Sequence, residues 1–396
     1  MQSSSISASS SVSGNSPVDR LWLVRLADVF SPEARWIFGE AGVRLSRELS
    51  GGYFIVHAPD GWHLRAAEAG VFLRWGMRVD HGWPCNPQKM EGFIEKAAQA
   101  LARKFSSLRP QAVLVGALDP ANRYYKTLAS NLRGRALQVF GDENIGRGGV
   151  EEQDPSRPTL FCLVGKEGLF CGCVPPREAN GFFPGGTKFI RQNAPGTISR
   201  AGAKVAEALH YLPLVKSVRW LEGNGDASSK AHWLELGACP GGMTSELLER
   251  GFRVTAVDRA PLDKRLDGAA GLKFFLGDVR EFRPAAGERY QALLCDMNGD
   301  PLEAFRQVLR LSGHLETGGV VIFTLKSTGA EDCREILKLL GEVLAIAADG
   351  GLECLVKTHL TYNRYELTLI FEKIEGVEIR RAARNRSPKD PVGKDE

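Results

Sequence analysis

The second half of the chain alternates short apolar runs with longer stretches whose apolar positions recur at helical spacing. The longer stretches, residues 243–250, 303–312 and 331–347, predict helices between the runs. Alternating strands and crossover helices predict a mostly parallel sheet that is covered by helices on both faces. A short connection before the final run predicts that the last strand returns antiparallel. The seven predicted strands are residues 233–238, 254–258, 272–278, 290–296, 320–326, 355–360 and 366–373.

The first half of the chain has a different pattern. Two strand-like runs, residues 21–27 and 53–58, flank a predicted helix over 32–42, and a further helix is predicted to begin over 64–69. This order predicts a small α+β unit that ends near residue 80, where two prolines interrupt the pattern. The next unit is predicted to contain a helix over 91–105 and strands over 112–117, 137–140, 159–164 and 169–174.

The composition is that of a globular protein. The chain of 396 residues is too long to fold around a single hydrophobic core of ordinary size. Of its residues, 43% are hydrophobic and 25% are charged. It lacks a run of about 18 uncharged apolar residues, so we predict no membrane span and no membrane partner. Residues 1–18 are almost entirely serine, glycine and other small residues, without the basic and apolar regions of a secretory signal. We therefore predict a disordered tail and a cytoplasmic location.

Eight cysteines are scattered along the chain. Without a secretory signal they are expected to be free thiols in a reducing compartment. Cys171 and Cys173 face Cys162 across a predicted turn, but the doubled C-x2-4-C spacing of a zinc site is missing. We therefore predict no metal.

Basic residues are concentrated in two regions, although the net charge of the chain is only +4. Residues 99–135 hold seven Lys or Arg and one acid, with Tyr124 and Tyr125 in the middle. A surface that follows phosphates requires such an excess, but a solvated helix face has the same composition. The residues after Glu378 form a second basic stretch, predicted to be a disordered tail that can contact RNA.

A glycine-rich loop follows the first strand of the predicted parallel sheet. Residues 237–242 read G-A-C-P-G-G, and Asp258 ends the next strand. Glycines allow close approach of the backbone to a ligand, and an acid at that strand end can bind two ribose hydroxyls. Ala238 and Pro240 break the G-x-G-x-x-G spacing of a dinucleotide site, and Pro240 has no amide to offer a pyrophosphate. The loop therefore predicts an adenosyl ligand without phosphates, against the alternative of a glycine turn that binds nothing.

The G-A-C-P-G-G loop after an apolar strand resembles the S-adenosylmethionine loop of the FtsJ-like ribose 2′-O-methyltransferases. The resemblance implies that residues 239–242 pass around the methionine moiety, that Asp258 holds the ribose and that Asp278 binds the adenine amino group. An acid in the position of Asp278 is also commonly just a helix cap. The implied cofactor-binding residues are Ala201 (through its backbone), Gly237, Cys239, Pro240, Gly241, Gly242, Asp258, Asp278 and Asp296.

The same family uses a Lys-Asp-Lys-Glu set, and this sequence offers each member in order. The segment S-R-A-G-A-K-V-A-E matches the family's S-R-A-x-x-K-L-x-E helix, C-D-M and T-L-K follow at strand ends, and Y-N-R-Y-E has one residue more between Arg and Glu than the family's S-R-E-x-Y. The implied catalytic residues are Lys204, Asp296, Lys326 and Glu366.

The chemistry explains these residue types. A ribose 2′-hydroxyl is a poor nucleophile near neutral pH, so a base has to take its proton during methyl transfer. A neighbouring cation and partial burial lower the pKa of a lysine, whereas carboxylates orient it but oppose that shift. We assign the base to Lys326, the positioning of the hydroxyl and of that lysine to Lys204 and Glu366, and contact with both cofactor and Lys326 to Asp296.

The order of elements further resembles the THUMP-bearing branch of the family, which methylates a cytidine of 23S rRNA; Ala194-Pro195 ahead of the S-R-A helix belongs to this resemblance. It implies a partner that is naked or early precursor rRNA, and leaves the oligomeric state open. The implied segments are a disordered Ser-rich tail (1–19), a ferredoxin-like α+β unit (20–80), a THUMP-like RNA-binding domain (81–190), a Rossmann-like, FtsJ-like methyltransferase domain with a seven-stranded sheet and an antiparallel last strand (191–376), and a basic disordered tail (377–396).

Three other functions compete with this one. The first alternative is an RNA-binding module with a vestigial methyltransferase domain. The second is a methyltransferase that acts on another RNA, and the third is a small-molecule methyltransferase. The complete catalytic set argues against the first alternative. The third alternative does not explain the large N-terminal half and its basic stretch, because a small-molecule methyltransferase needs neither.

Overall fold

The computed structural model describes residues 19–141, 145, 150–186, 197–218, 231–327 and 329–375, which form three β-sheets. Residues 1–18 of the predicted Ser-rich tail, the predicted basic tail and the Ala194-Pro195 step lie outside the described residues. The strands are β1 (Arg20–Leu26), β2 (Arg44–Glu48), β3 (Tyr53–Ala58), β4 (Leu73–Arg78), β5 (His81–Trp83), β6 (Val113–Ala117), β7 (Thr159–Gly165), β8 (Gly168–Val174), β9 (His232–Leu236), β10 (Arg253–Asp258), β11 (Leu272–Leu276), β12 (Tyr290–Cys295), β13 (Leu315–Lys326), β14 (Leu352–Thr358) and β15 (Glu366–Lys373). The α-helices are α1 (Ala34–Glu40), α2 (Phe93–Phe105), α3 (Arg123–Phe140), α4 (Pro176–Ala179), α5 (Ala201–Tyr211), α6 (Gly242–Glu249), α7 (Pro301–Ser312) and α8 (Cys333–Asp349).

The first sheet is antiparallel, with the strand order β2-β3-β1-β4. Side chains alternate between its faces, as the period of a strand requires. Val24 and Val56 belong to a core shared with α1 and the third sheet, whereas Leu23 and Ile55 belong to a core shared with the second sheet. The first sheet is therefore buried on both sides.

The second sheet has the order β5-β8-β7-β6, in which only β6 and β7 are parallel. Every residue of β7 and β8 is buried. Helices α2 and α3 cover one face through Leu101 and Leu132, and the other face meets the first sheet through Phe161 and Leu163.

The third sheet has seven strands in the order β11-β10-β9-β12-β13-β15-β14. The pairs from β11 to β13 are parallel, and β15 is antiparallel to both of its neighbours. The predicted seven-stranded sheet with an antiparallel last strand is confirmed. Strand order reverses between β9 and β12, and this switch point is where open α/β sheets bind ligands.

Two predictions for the N-terminal half are wrong. Residues 64–69 do not begin an α-helix; the chain folds back tightly, with Gly70 packed against the Leu64 carbonyl, and only a 3₁₀ helix over Glu68–Phe72 forms. Residues 137–140 are not a strand but the last turn of α3. The Asn122 side chain caps this helix, and its buried positions continue at helical spacing to Ala136, so the final apolar residues extend the same periodicity.

The sequence pattern missed short strands. β2 is largely exposed and β5 has three residues, so neither shows an apolar alternation. The predicted strands of the third sheet are all present, with ends displaced by at most a few residues except for β13, which begins at Leu315.

The N-terminal half contacts the third sheet directly. The Cys333 amide at the start of α8 donates to the Glu33 carboxylate at 3.1 and 3.2 Å, and Arg334 lies over the Trp36 ring. Nε of the buried Arg74 in β4 donates to the His359 carbonyl at 3.2 Å. Among the described helices, none is long and apolar enough to cross a membrane.

Candidate active site

The glycine loop follows β9 directly and leads into α6. Gly237 has φ +79°, and a Cβ at this position would lie 3.0 Å from Met297, so a side chain does not fit. Gly241 has φ +106°, in the left-handed region that favours glycine, immediately before α6 begins. These two glycines let the loop turn sharply while its backbone stays open to a ligand.

Asp258, the last residue of β10, closes the other side of the loop. Its carboxylate accepts the Cys239 amide at 2.9 Å through one oxygen and the Ala260 amide at 2.8 Å through the other. Each oxygen therefore keeps acceptor capacity for a ribose hydroxyl. Gly237, Asp258 and Asp296 line one cavity of about 280 Å³. Its other lining residues are Cys239, Val257, Arg259, Gly277, Val279, Met297 and Asn298.

The Asp278 carboxylate does not line this cavity, although its neighbours Gly277 and Val279 do. It accepts the Arg280 amide at 2.9 Å and the Arg280 guanidinium at 2.7 and 3.1 Å, and it also pairs with Arg259. The Arg280 hydrogen bonds, with help from Arg259, hold the pKa of Asp278 well below its usual range. The acceptor positions of Asp278 are filled in this arrangement, so the predicted contact with an adenine amino group requires Arg259 to move.

Ala201 is the first residue of α5, and its amide donates to Ser199 Oγ at 3.3 Å. The next residue, Gly202, packs against the Gly242 carbonyl, where a Cβ would lie only 2.7 Å from the oxygen. This close contact between α5 and α6 brings Lys204 to the cofactor side of the sheet.

The structure brings Lys204, Asp296, Lys326 and Glu366 together. Lys326 and Glu366 are register partners across β13 and β15, and Asp296 directly follows β12. The Lys326 ammonium lies 2.6 Å from Asp296 Oδ1 and 2.8 Å from Glu366 Oε2. The Lys204 ammonium lies 3.4 Å from Asp296 Oδ2 and pairs with Glu366. We call these four residues the tetrad; Asp296 belongs to both the tetrad and the cavity.

Charge in the tetrad is balanced and largely shielded, since the four side chains are between 10% and 15% exposed. Burial lowers the pKa of Lys326, but the Asp296 and Glu366 carboxylates outweigh it, and the pKa is raised above its ordinary value. Burial raises the pKa of Glu366, but hydrogen bonds from both lysines outweigh it and the net shift is downward. In this arrangement the two carboxylates, which oppose a lowered lysine pKa, therefore outweigh burial.

The sequence reasoning also missed Glu235, a fully buried carboxyl in β9 under the glycine loop. Burial raises its pKa to about 8, and the nearby Asp296 and Asp258 carboxylates add to the shift while the Thr244 hydroxyl, 2.7 Å away, opposes it. Burial therefore favours the neutral form of this carboxyl. An acid inside an otherwise apolar strand was the available signal.

A second missed feature is the loop of residues 359–365 between β14 and β15, which leads into Glu366. The buried Glu207 of α5 accepts the Thr361 amide at 2.8 Å and the Thr361 hydroxyl at 2.7 Å. Glu207 is the last residue of the S-R-A-G-A-K-V-A-E segment, but nothing in the local pattern indicates its partner Thr361. Among the residues that the structure describes, no group of three or more His, Cys, Asp or Glu is placed to hold a metal ion.

The strand order of the third sheet, with its antiparallel last strand and a glycine loop at the switch point, is the Rossmann-like fold of S-adenosylmethionine-dependent methyltransferases. Residues 197–347 match the family described as FtsJ-like methyltransferase. The cofactor of such a domain is S-adenosyl-L-methionine. The open glycine loop and the two free acceptor positions of Asp258 fit an adenosyl ligand.

Curated relatives are similar to part of the chain. Ribosomal RNA large subunit methyltransferase M of Shewanella loihica is 27% identical over 244 residues, which cover 59% of this chain and 64% of that protein. The protein of the same name in Shewanella pealeana is 28% identical over 227 residues, covering 56% of this chain and 59% of the relative. The similarity thus spans less than two thirds of the relatives' length. Among solved structures, TrmN from Thermus thermophilus aligns over 89% of this chain and 100% of its own, with a TM-score of 0.32 and 16% identity.

Proposed function

We propose that the chain transfers the methyl group of S-adenosylmethionine to a ribose 2′-hydroxyl of large-subunit rRNA, at a cytidine of 23S rRNA. The observation that carries the proposal is the tetrad, with Asp296 shared between it and the cofactor cavity. The FtsJ-like match and the names of the curated relatives support the reaction and the RNA class. We further propose that the substrate is naked or early precursor rRNA and that methylation occurs in the cytoplasm.

In this mechanism the cofactor supplies the electrophilic methyl group, and the protein supplies the base and the positioning. Lys326 Nζ takes the proton of the 2′-hydroxyl as its oxygen bonds to the methyl carbon. Lys204 and Glu366 position the hydroxyl and Lys326, and Asp296 holds both lysines beside the cavity.

Lys326 must lose a proton before it can act as the base. The two carboxylates hold it as an ammonium in the site described above. Additional positive charge, such as a bound cofactor's sulfonium would supply, favours the neutral amine. We infer that the pKa of Lys326 is lower in the loaded site than in the free one.

The N-terminal half is proposed to hold the RNA, with residues 20–80 and 81–190 as the ferredoxin-like and THUMP-like domains. Of the seven basic residues in 99–135, Arg135 pairs with Glu95 at 2.6 Å and Arg133 donates to the Val113 carbonyl at 3.1 Å. The remaining five side chains are exposed and make no ion pair with any residue that the structure describes: Arg103, Lys104, Arg109, Arg123 and Lys126. They supply positive charge without internal neutralisation, as phosphate contacts require.

The test is methyl transfer in vitro. The full chain is incubated with methyl-labelled S-adenosylmethionine and unmodified 23S rRNA transcript, or with immature large-subunit particles, and the RNA is digested to nucleosides. We expect label in 2′-O-methylcytidine, lost in Lys326→Ala and retained in Lys338→Ala, which removes an exposed lysine of α8. Label on a base contradicts the proposed ribose chemistry. Cofactor binding without label on either substrate supports the RNA-binding module with a vestigial domain.

A further inference from the structure

Two exposed side chains stand directly before the tetrad. Arg364 and Tyr365 precede Glu366, so the Cα atoms of Tyr365 and Glu366 are about 3.8 Å apart. Tyr365 is 65% exposed, the highest value among the exposed large hydrophobic side chains of the described residues. Neither side chain has a hydrogen bond, ion pair or ring contact with another residue that the structure describes. A cation and an aromatic ring are thus presented together at the edge of the site.

The backbone that carries these side chains is firmly held. The Ser327 amide donates to the Tyr365 carbonyl at 3.2 Å, and the Ser327 hydroxyl donates to the same oxygen. The Arg364 carbonyl lies 2.8 Å from Nε2 of the buried His359. Glu207 fixes Thr361 earlier in the same loop. The backbone of Arg364 and Tyr365 is therefore ordered before any ligand binds, which lowers the entropy cost of binding.

Burial separates Tyr365 from the acid that follows it. The Glu366 side chain is 10% exposed and pairs with Lys204 and Lys326, whereas Tyr365 is 65% exposed and lies at the surface directly before it. The tetrad acts on a ribose, and the base and the phosphates of the same nucleotide are attached to the neighbouring ribose carbons. They must therefore lie close to the tetrad, at the edge where Arg364 and Tyr365 stand.

We propose that Arg364 and Tyr365 form a nucleotide-binding subsite in which the Tyr365 ring stacks on a nucleobase of the target RNA and Arg364 binds an adjacent phosphate. The proposal rests on the proposed function, whose substrate it defines more closely as an unpaired nucleotide. Aromatic rings stack on bases of any sequence, and guanidinium groups bind phosphate oxygens. Stacking requires a base that is not paired in a duplex, so a flipped-out or single-stranded target is expected.

The experiment uses the full chain with two probes, the 23S rRNA transcript for methyl transfer and a fluorescein-labelled single-stranded oligocytidine for equilibrium binding. Tyr365→Ala is expected to raise the KM for transcript and the Kd for oligocytidine roughly tenfold or more. Tyr365→Phe keeps the ring and is expected to stay near wild type. Ile374→Ala removes an exposed apolar side chain just beyond the other end of β15 and is the matched control.

The salt dependence of RNA binding distinguishes the contribution of Arg364 from that of Tyr365. Arg364→Gln removes one phosphate contact and is expected to reduce the slope of log K against log salt by about 0.7, the value for one contact on a single strand. Tyr365→Ala is expected to weaken binding with the slope unchanged. The Kd for S-adenosylmethionine is expected to stay at the wild-type value in every variant, which shows that the site remains folded.

The outcomes distinguish the subsite from the proposed function. If wild type methylates the transcript but Tyr365→Ala behaves like Ile374→Ala, the subsite is overturned and the function stands. If wild type binds oligocytidine without methylating any RNA, and Tyr365→Ala loses that binding while Tyr365→Phe and Ile374→Ala keep it, the subsite stands and the function is overturned. If Tyr365→Phe is as defective as Tyr365→Ala, the hydroxyl and not the ring is responsible, and stacking is overturned. Absence of any RNA binding by wild type overturns both.

Discussion

At the scale of single residues, the tetrad is a balance between burial and charge. The two carboxylates that place Lys326 also stabilise its ammonium form, and their effect exceeds that of burial. Lys204 approaches the same two carboxylates from α5. Such an arrangement fixes geometry well, but it favours the protonated form of the proposed base.

This balance predicts the pH dependence of methyl transfer. A base must be neutral, and the neutral fraction of a group titrating above the measured range rises tenfold for each pH unit. With saturating cofactor and RNA, log kcat is therefore expected to rise with a slope near one between pH 6.5 and 9. Lys326→Arg keeps the charge without a usable base, and we expect kcat roughly 10²–10⁴-fold lower and independent of pH. A plateau near pH 7 would show that the loaded site lowers the Lys326 pKa further than we infer.

At the scale of elements, the loop of residues 359–365 connects the tetrad to the rest of the molecule. Glu207 of α5 holds it at Thr361, and Arg74 of β4 holds it at the His359 carbonyl. Both charged residues are buried, and burial raises the pKa of Glu207 although Arg74 and the bonds from Thr361 oppose the shift. The start of β15, and with it Glu366, is positioned from two directions.

We predict that weakening one of these contacts slows catalysis without loss of binding. Glu207→Gln retains the volume of the side chain but offers one carbonyl oxygen where two carboxylate oxygens accept from Thr361. We expect kcat to fall roughly tenfold because Glu366 is held less firmly, whereas the Kd for S-adenosylmethionine and the KM for RNA stay near wild type. The control is Glu342→Gln on the exposed side of α8. A rise in KM with unchanged kcat would mean that Glu207 serves RNA binding and not the position of Glu366.

The sequence could predict most elements of the third sheet but not the contacts between distant side chains. Apolar runs and amphipathic stretches located all seven strands of the third sheet, and the short final connection indicated the direction of β15. The resemblance to the FtsJ-like family indicated which four side chains form the catalytic set, and in the structure these four side chains meet. The partners of Asp278 depend on the conformations of Arg259 and Arg280, and the contact between Glu207 and Thr361 joins residues 154 positions apart. Neither has a signature in the local pattern.

At the scale of the whole molecule, the three sheets share their cores. One hydrophobic cluster runs from Val24 of the first sheet to Leu234 and Val321 of the third, and another joins Trp75 of the first sheet to Phe161 of the second. Ion pairs and hydrogen bonds such as that between Glu33 and Cys333 add to the same junction. Each face of the first sheet is therefore uncovered when the neighbour packed on that face unfolds.

This shared packing predicts one cooperative unfolding transition for the full chain. Exposing either face of the first sheet removes apolar contacts from the core on that face, so the loss of one unit destabilises the first sheet and, through it, the other unit. Trp75→Ala, in the core between the first two sheets, is expected to cost roughly 3–5 kcal/mol and to lower the melting of the distant cofactor site with it. Cofactor at one hundred times its Kd is expected to stabilise the whole transition by about 2.7 kcal/mol. Calorimetry with and without S-adenosylmethionine tests this: two resolved transitions, of which only one moves with cofactor or with Trp75→Ala, would show that the units unfold independently.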